Sequence, residues 1–369
     1  MSLTTVRFNN KLNAEFVKAV RTNVNRYFKE NNISRFANLQ MKIKTVAMLC
    51  IYFIPFIVML TAGIELAWVH YLLWLLMGIG MGGIGLSVMH DANHGAYSKN
   101  PKVNKWIGNV IVLVGGYSPN WKFQHNVLHH SYTNVEGHDE DIDPGNLLRF
   151  SPHAKHFKAH RFQHIYAWLL YSLMTIVWAT TKDFKQLVRY RSQGMEKYTG
   201  KSFGTMLTEV ILTKILYYAY IIGLPLLFAP VSWIVIVTGW LLMQLTAGFI
   251  LAIIFQPAHV IPTSEYPVPD DAGVIEENWA IHQLHTTSNF APNNKWLSWF
   301  VGGLNFQVEH HLFPNICHVH YKKIAGIVEK TAKDFGLPYY SQPTFRSAII
   351  EHGKMLKKLG SNEPLAPSV

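Results

Sequence analysis

Residues 303–314 read Gly-Leu-Asn-Phe-Gln-Val-Glu-His-His-Leu-Phe-Pro. Gln307 stands three and four positions before the paired His310 and His311. At that spacing an amide and two imidazoles share one face of a helical turn. Working outward from this stretch, two further clusters repeat the pattern. His90-Asp-Ala-Asn-His94 is an i,i+4 pair, and His125-Asn-Val-Leu-His129-His130 adds an adjacent ring to another. His259 closes Phe255-Gln-Pro-Ala-His259. One such pair arises by chance in a chain with 19 histidines. Three clusters at helical spacing read as a shared metal site. Eight imidazoles and one amide exceed what a single ion of four to six ligands takes, so the count points to two metals. Imidazole suits Fe, Zn, Cu or Ni, and ligand type leaves the metal open.

The clusters lie beside apolar runs. Four runs are long enough to cross a bilayer, which takes about 20 residues: 45–64, 66–89, 207–228 and 231–254. They form two tight hairpins, turning near Gly63–Glu65 and at Ala229–Pro230. Neither turn carries Lys or Arg, whereas the N-terminal arm and the region between the hairpins are rich in both. The positive-inside rule then places both termini and the central region on the cytoplasmic side. Residues 106–116 are too short to span. Residues 164–180 are borderline, and parity decides them. A crossing there would put the early and late histidine clusters on opposite sides, so a shared site requires this run to lie in the interface or re-enter.

Composition agrees with a membrane protein. Hydrophobic residues make up 49% of the 369 and charged residues only 15%, where soluble domains carry about 25% charge. The formal net charge of +11 sits beside apolar spans, so topology explains it better than nucleic acid. Anionic headgroups or an acidic electron carrier can use the same charge. Cys50 and Cys317 are too few for a disulfide scaffold or a Cys-ligated metal. No cleavable signal peptide is visible. Leu12, Phe16, Val20, Val24 and Phe28 recur every four positions and predict a one-stripe helix. Beside Arg21, Arg26 and Lys29 it suits either a membrane surface or ordinary packing. The organisation expected is an amphipathic cytosolic arm (1–44), a membrane domain (45–340) and a cytosolic tail (341–369), disordered after about Gly360.

The order HxxxH, HxxxHH, QxxHH resembles the membrane fatty-acid desaturase family, from about residue 45 to 340. The Gln in place of His at the third box is similar to the front-end branch, which includes delta-5, delta-6 and sphingolipid delta-8 desaturases. The flanking text agrees: HDANHG, HNVLHHSYTN and GLNFQVEHHLFP. The resemblance implies an all-α integral-membrane fold. Four transmembrane helices in two hairpins would carry a cytosolic helical cap holding the histidine boxes, with a kinked acyl tunnel. It implies two iron ions held by His90, His94, His125, His129, His130, His259, His310 and His311, with Gln307 binding directly or through water. It implies an O2-dependent desaturase acting on an acyl chain held as CoA, carrier-protein or lipid ester. No His-Pro-Gly-Gly haem motif of a fused cytochrome b5 occurs. A separate donor (ferredoxin, cytochrome b5 or similar) and a bacterial inner membrane rather than the endoplasmic reticulum are expected. Membrane lipids, and no nucleic acid, complete the expected partners.

Ligating histidines donate their other N–H to a carboxylate or carbonyl. Asp91, Glu309 and the acidic run Asp139–Asp143 are available, as are Asn126 and Asn134; from these, Asp143 and, further on, Asn289 complete the candidate second layer. His282 and His285 read as structural or channel-lining. His153, His156, His160 and His164 read as one face of a surface helix. His318 and His320 are expected to close the cap, and His70 to pack within a span. Desaturation removes hydrogen from an unactivated methylene, which no side-chain acid or base can do, so redox iron is required. A membrane di-iron hydroxylase would use the same metals. A metal transporter or sensor is the rival of another class, but transporters place their sites near the bilayer midplane, and here the clusters flank the spans.

Overall fold

The computed structural model describes residues 6–361. The disordered tail expected beyond Gly360 falls, past Ser361, outside the described residues. Helices dominate: α1 (Ala14–Glu30), α2 (Leu39–Thr61), α3 (Ala67–Asn93), α4 (Phe203–Phe228), α5 (Trp233–His259), α6 (Trp279–Thr286), α7 (Gln307–Leu312), α8 (Tyr321–Asp334) and α9 (Phe345–Ser361), with shorter helices between them. Two pairs of two-residue strands run parallel, Arg7–Phe8 with Val274–Ile275 and Asn289–Phe290 with Ser341–Gln342. Helices α2 to α5 are each long and apolar enough to cross a membrane. Their bounds differ from the apolar runs, most at α2, whose first turn, Leu39-Gln-Met-Lys-Ile-Lys, is already helical. Hydropathy registers an apolar stretch and is blind to a helix that begins before it.

The chain divides into two compact units. The first comprises residues 39–123 and 168–252. Within it, α3 is the central helix: 78% of its apolar window is buried, against 33% for each of the other three. Small residues explain this. A Cβ at Gly80 would lie 2.8 Å from the Tyr52 backbone nitrogen of α2, and one at Gly78 would lie 2.7 Å from the Met243 carbonyl of α5. Gly239 of α5 receives the Trp74 ring of α3. Apolar helices in lipid gain little from hydrophobic burial, so close backbone approach through glycine supplies the packing. On the outer face of α2, Ile43, Val46, Ile54 and Ile57 are exposed.

Two polar knots tie this unit. Buried Lys214 of α4 donates to Asp183 Oδ2 (2.6 Å), Gly115 O (2.5 Å) and Trp178 O (2.8 Å). A charge inside a span is costly unless so paired, and Lys214 is thereby a latch between three segments. Burial pushes the Asp183 carboxyl up against the opposing pull of Lys214. Tyr217 accepts from Gln244 Nε2 (2.6 Å) and Trp240 Nε1 (3.2 Å). The borderline run at 164–180 is helical but is not among the four long apolar helices. Ile165, Leu169, Leu173 and Val177 form an exposed stripe at four-residue spacing along it.

The second unit comprises residues 6–38, 124–167 and 253–361. Of the two readings of α1, packing holds. Phe16, Val20 and Val24 are buried in one cluster with Leu284, Val308, Ile324 and Val328. α9 also packs, through Ala348, His352, Met355 and Leu359. Its last turn is held by Arg149 Nη1 on Leu359 O (2.7 Å), Gln163 Nε2 on Leu356 O (2.8 Å) and His156 Nε2 on Gly360 O (2.9 Å). Residues 153–160 do not form the expected surface helix; they run as a turn, an extended stretch and the start of a 3-10 segment, and the next α-helix starts at Gln163. Their imidazoles instead reach separate carbonyls, His153 that of Tyr266 (2.9 Å) and His160 that of Asn146 (3.0 Å).

Candidate metal centre

In the first unit the first box ends α3. A π-helical turn, Ile84–Val88, precedes Met89–Asn93. Such turns appear often at functional sites. His90 is buried and His94 half-buried. Their ring centroids are 4.8 Å apart, and Trp121 stands edge-on to both, at 5.5 and 5.8 Å. Asp91 Oδ1 is 4.0 Å from His90 Nδ1.

The second unit holds the other boxes. The second box runs along a π-helical stretch, Phe123–His129, into an α-helical turn, His130–Tyr132, where spacing alone suggests one α-helix. The rings of His125 and His129 stack at 5.4 Å. His259 is the last residue of α5. Gln307, His310 and His311 lie on the single short helix α7, and all three are buried.

One nitrogen each from His129, His259 and His311 forms a trio within 4.8 Å of one another. The opposite face of each ring is occupied. His129 Nδ1 lies 3.1 Å from both Asp139 oxygens and 3.3 Å from Asp141 Oδ2. His259 Nδ1 donates to Thr286 O (3.2 Å), and His311 Nδ1 to Gln283 Oε1 (2.8 Å). With Nδ1 carrying the proton, the Nε2 lone pairs of His129 and His259 point inward. The Nε2 atoms of His129 and His259 are buried with no hydrogen-bond partner among the described residues. Buried polar atoms are normally satisfied, so this donor set fits a bound cation. Gln307 presents its buried amide beside His259.

A second trio, His130, His310 and His311, has the same compactness. His130 Nε2 and His310 Nε2 are 2.9 Å apart, and His310 Nδ1 is 3.3 Å from the Tyr321 hydroxyl. Phe255 walls the cluster, 5.6 Å from His125 and 5.5 Å from His129. Burial would lower the His129 imidazole, but Asp139 and Asp141 outweigh it and raise it. Burial would raise Asp139, but His129 and the backbone N–H groups of Asn134 and Asp141 hold it below the usual carboxylate range.

The candidate second layer is distributed unevenly. Asn134, in the left-handed region at φ 60°, donates Nδ2 to His259 O (3.0 Å) and its N–H to Asp139 Oδ2 (2.9 Å). Glu309 and Asn289 face each other (2.8 Å), and Tyr339 bonds both. Burial pushes Glu309 up to about 7. Asn126 is half-buried on the π-helical stretch, and exposed Asp143 accepts from Gly145 N (3.3 Å). His282 is buried against Phe8 (4.9 Å), while His285 pairs with Glu277 (2.7 Å). His320 Nε2 lies 3.3 Å from Phe36 O, and His70 donates to Ile64 O (2.7 Å). Sequence reasoning passed over Gln283, which sits between His282 and His285 on α6 and also accepts from Thr133 Oγ1 (3.0 Å). A glutamine beside two histidines gave no signal of its own.

A family model described as fatty acid desaturase matches residues 66–343. The chain belongs to the fatty acid desaturase family. Among its relatives, a sn-1 linoleoyl-lipid 6-desaturase of a Synechocystis species is 35% identical, covering 94% of this chain and 95% of the relative. The protein of the same description from Arthrospira platensis is also 35% identical, covering 94% and 93%. An acyl-lipid (8-3)-desaturase of Physcomitrium patens is 34% identical, covering 97% and 74%. This chain is therefore a membrane fatty acyl desaturase of front-end-like kind, an oxidoreductase that uses O2 and an electron donor. The family implies iron, and the histidine groups suit a metal. Hydroxylation and metal transport are not favoured by these relatives.

Proposed function

We propose that this desaturase holds two iron ions and acts on an acyl chain esterified in a membrane lipid, introducing a double bond at the 6-position. The His129–His259–His311 trio carries the reading, because the Nε2 atoms of His129 and His259 are buried without a hydrogen-bond partner among the described residues, while the Nδ1 atoms of all three rings are held from behind. The ligands proposed are His90, His94, His125, His129, His130, His259, His310 and His311, with Gln307. The motif order supports including the first box. The lipid ester and the 6-position are supported by what the cyanobacterial relatives are named for.

Iron, when bound, supplies the one-electron chemistry that takes hydrogen from an unactivated methylene. The chain's own residues orient and insulate. Asp139, Gln283 and the Thr286 carbonyl hold three imidazoles from behind. Phe255 sets an apolar ring against His125 and His129. Gln307 offers a weaker, neutral donor beside His259.

The four long helices pair as two hairpins under a cytosolic helical cap, in a bacterial inner membrane, with termini and site on the cytoplasmic side. The distribution of Lys and Arg supports this orientation. A separate ferredoxin or cytochrome b5 delivers electrons. The test is expression in a host that lacks polyunsaturated fatty acids, fed candidate acids, with products located by mass spectrometry. A new double bond at carbon 6 in the lipid fraction supports the reading; a hydroxylated product, or a new bond only in acyl-CoA, overturns it.

A further inference from the structure

A groove of about 640 Å³ opens along α1 in the second unit, lined by Asn10, Lys18, Arg21, Asn25, Asn278 and Trp279 among others. Among the described residues, no carboxylate lines it. Lys18, Arg21, Asn25 and Lys29 are exposed and follow helical spacing on the face of α1 opposite its buried stripe. At the floor stands Trp279, half-buried and fixed by its N–H to Asn10 Oδ1 (3.1 Å). Its indole Nε1–H donates to the backbone carbonyl of His130 at 3.0 Å. His130 in turn faces His310 at 2.9 Å. One hydrogen bond therefore separates an aromatic ring on a basic groove from the backbone of a proposed iron ligand.

We propose that this groove docks a small acidic redox protein, and that Trp279 and its bond to His130 form the electron entry path. The inference rests on the two-iron reading above. In each event the carrier loses one electron and one ferric ion gains it, and no bond between heavy atoms is made or broken. Charge complementarity identifies the occupant: cationic side chains rim a groove free of carboxylates, and electron-transfer encounters use small, charged contacts. Trp279 is a positioning residue. The Nε1–H bond shortens the covalent route into His130 and fixes the ring.

The test uses the full-length protein in nanodiscs of neutral lipid, and in parallel in discs containing anionic lipid, with an acidic [2Fe–2S] ferredoxin as probe. Direct binding needs no iron and is measured first, by titrating labelled ferredoxin at low and moderate salt. Lys18→Glu with Arg21→Glu is expected to weaken binding about tenfold at low salt, with the difference shrinking as salt rises. Trp279→Phe is expected to slow reduction of the metal by saturating ferredoxin, where any change in affinity no longer counts; dithionite reduces it as in the wild type. Unchanged ferredoxin affinity in the double variant overturns the docking site. So does an effect seen only in discs containing anionic lipid, which assigns α1 to the membrane surface. Unchanged reduction kinetics in Trp279→Phe overturns the entry path. The double variant is exposed and outside the core, so it keeps the docking claim testable if Trp279→Phe loses metal. Intact ferredoxin binding by a protein that forms no double bond separates this proposal from failure of the catalytic reading.

Discussion

His129 is gripped from behind by Asp139 and Asp141 and left open in front. Two outcomes follow. His129→Ala is expected to lose iron and activity together, read by metal analysis and product formation. Asp139→Asn is expected to keep the ring but weaken metal affinity by about 10–100-fold, measured by iron titration of the purified protein. The imidazoles were legible in the sequence because their spacing is local. Their partners were legible only in part. Asp139 and Asp141 stood out as a run beside the second box, yet nothing local singled them out from Asp143. Gln283 and the Thr286 carbonyl come from a segment more than 100 residues away from His129, and a backbone carbonyl has no sequence signature at all.

Glycine placement decides outcomes at the level of the helix. Gly78→Ala puts a methyl 2.7 Å from a backbone carbonyl of α5, and overpacking of this kind costs about 1–3 kcal/mol. Gly204 lies in the first turn of α4, where an added methyl would meet nothing within 4 Å among the described residues. Gly204→Ala is expected to stabilise by about 0.4–1 kcal/mol through the unfolded chain. Thermal unfolding in detergent compares the two. α9 offers a pH test. His352 donates to Val260 O (2.8 Å), and burial lowers its imidazole to about 4. Between the ordinary His value of about 6.5 and about 4, the unfolded chain takes up a proton that the folded one refuses. Stability is complete above that window and falls as pH drops through it, by about 1.4 kcal/mol per pH unit per proton. His352→Gln keeps a donor without titrating, and a shallower fall of melting temperature with pH is expected. Helix periodicity predicted α1 but left its face undecided, since a stripe of Phe16, Val20 and Val24 suits lipid and protein alike; its partners Ile324 and Val328 lie some 300 residues away. The histidines at 153–160 misled, because four-residue spacing occurs in irregular chain too.

For the whole molecule, orientation in the membrane is the accessible test. Reporter tags at both termini are expected to map to the cytoplasm; a periplasmic terminus breaks the proposed topology. Four apolar helices were plain in the sequence because lipid imposes a single length and a single composition on any span. The centrality of α3 was not, since glycines read as breakers until their neighbours are known.

Arg149 carries a consequence for anyone trimming this chain. Its guanidinium, 7% exposed, spends its donors on the carbonyls of Ala154, Pro152 and Leu359. Cutting the chain back before residue 356 would strip away Leu359 O, and with it the bonds of Gln163 and His156 to the same turn. A shortened version would take one of three carbonyls from a buried cation rather than merely shed an appendage. Purification handles belong beyond Ser361, and insolubility in a truncated form would report a broken clasp rather than a missing activity.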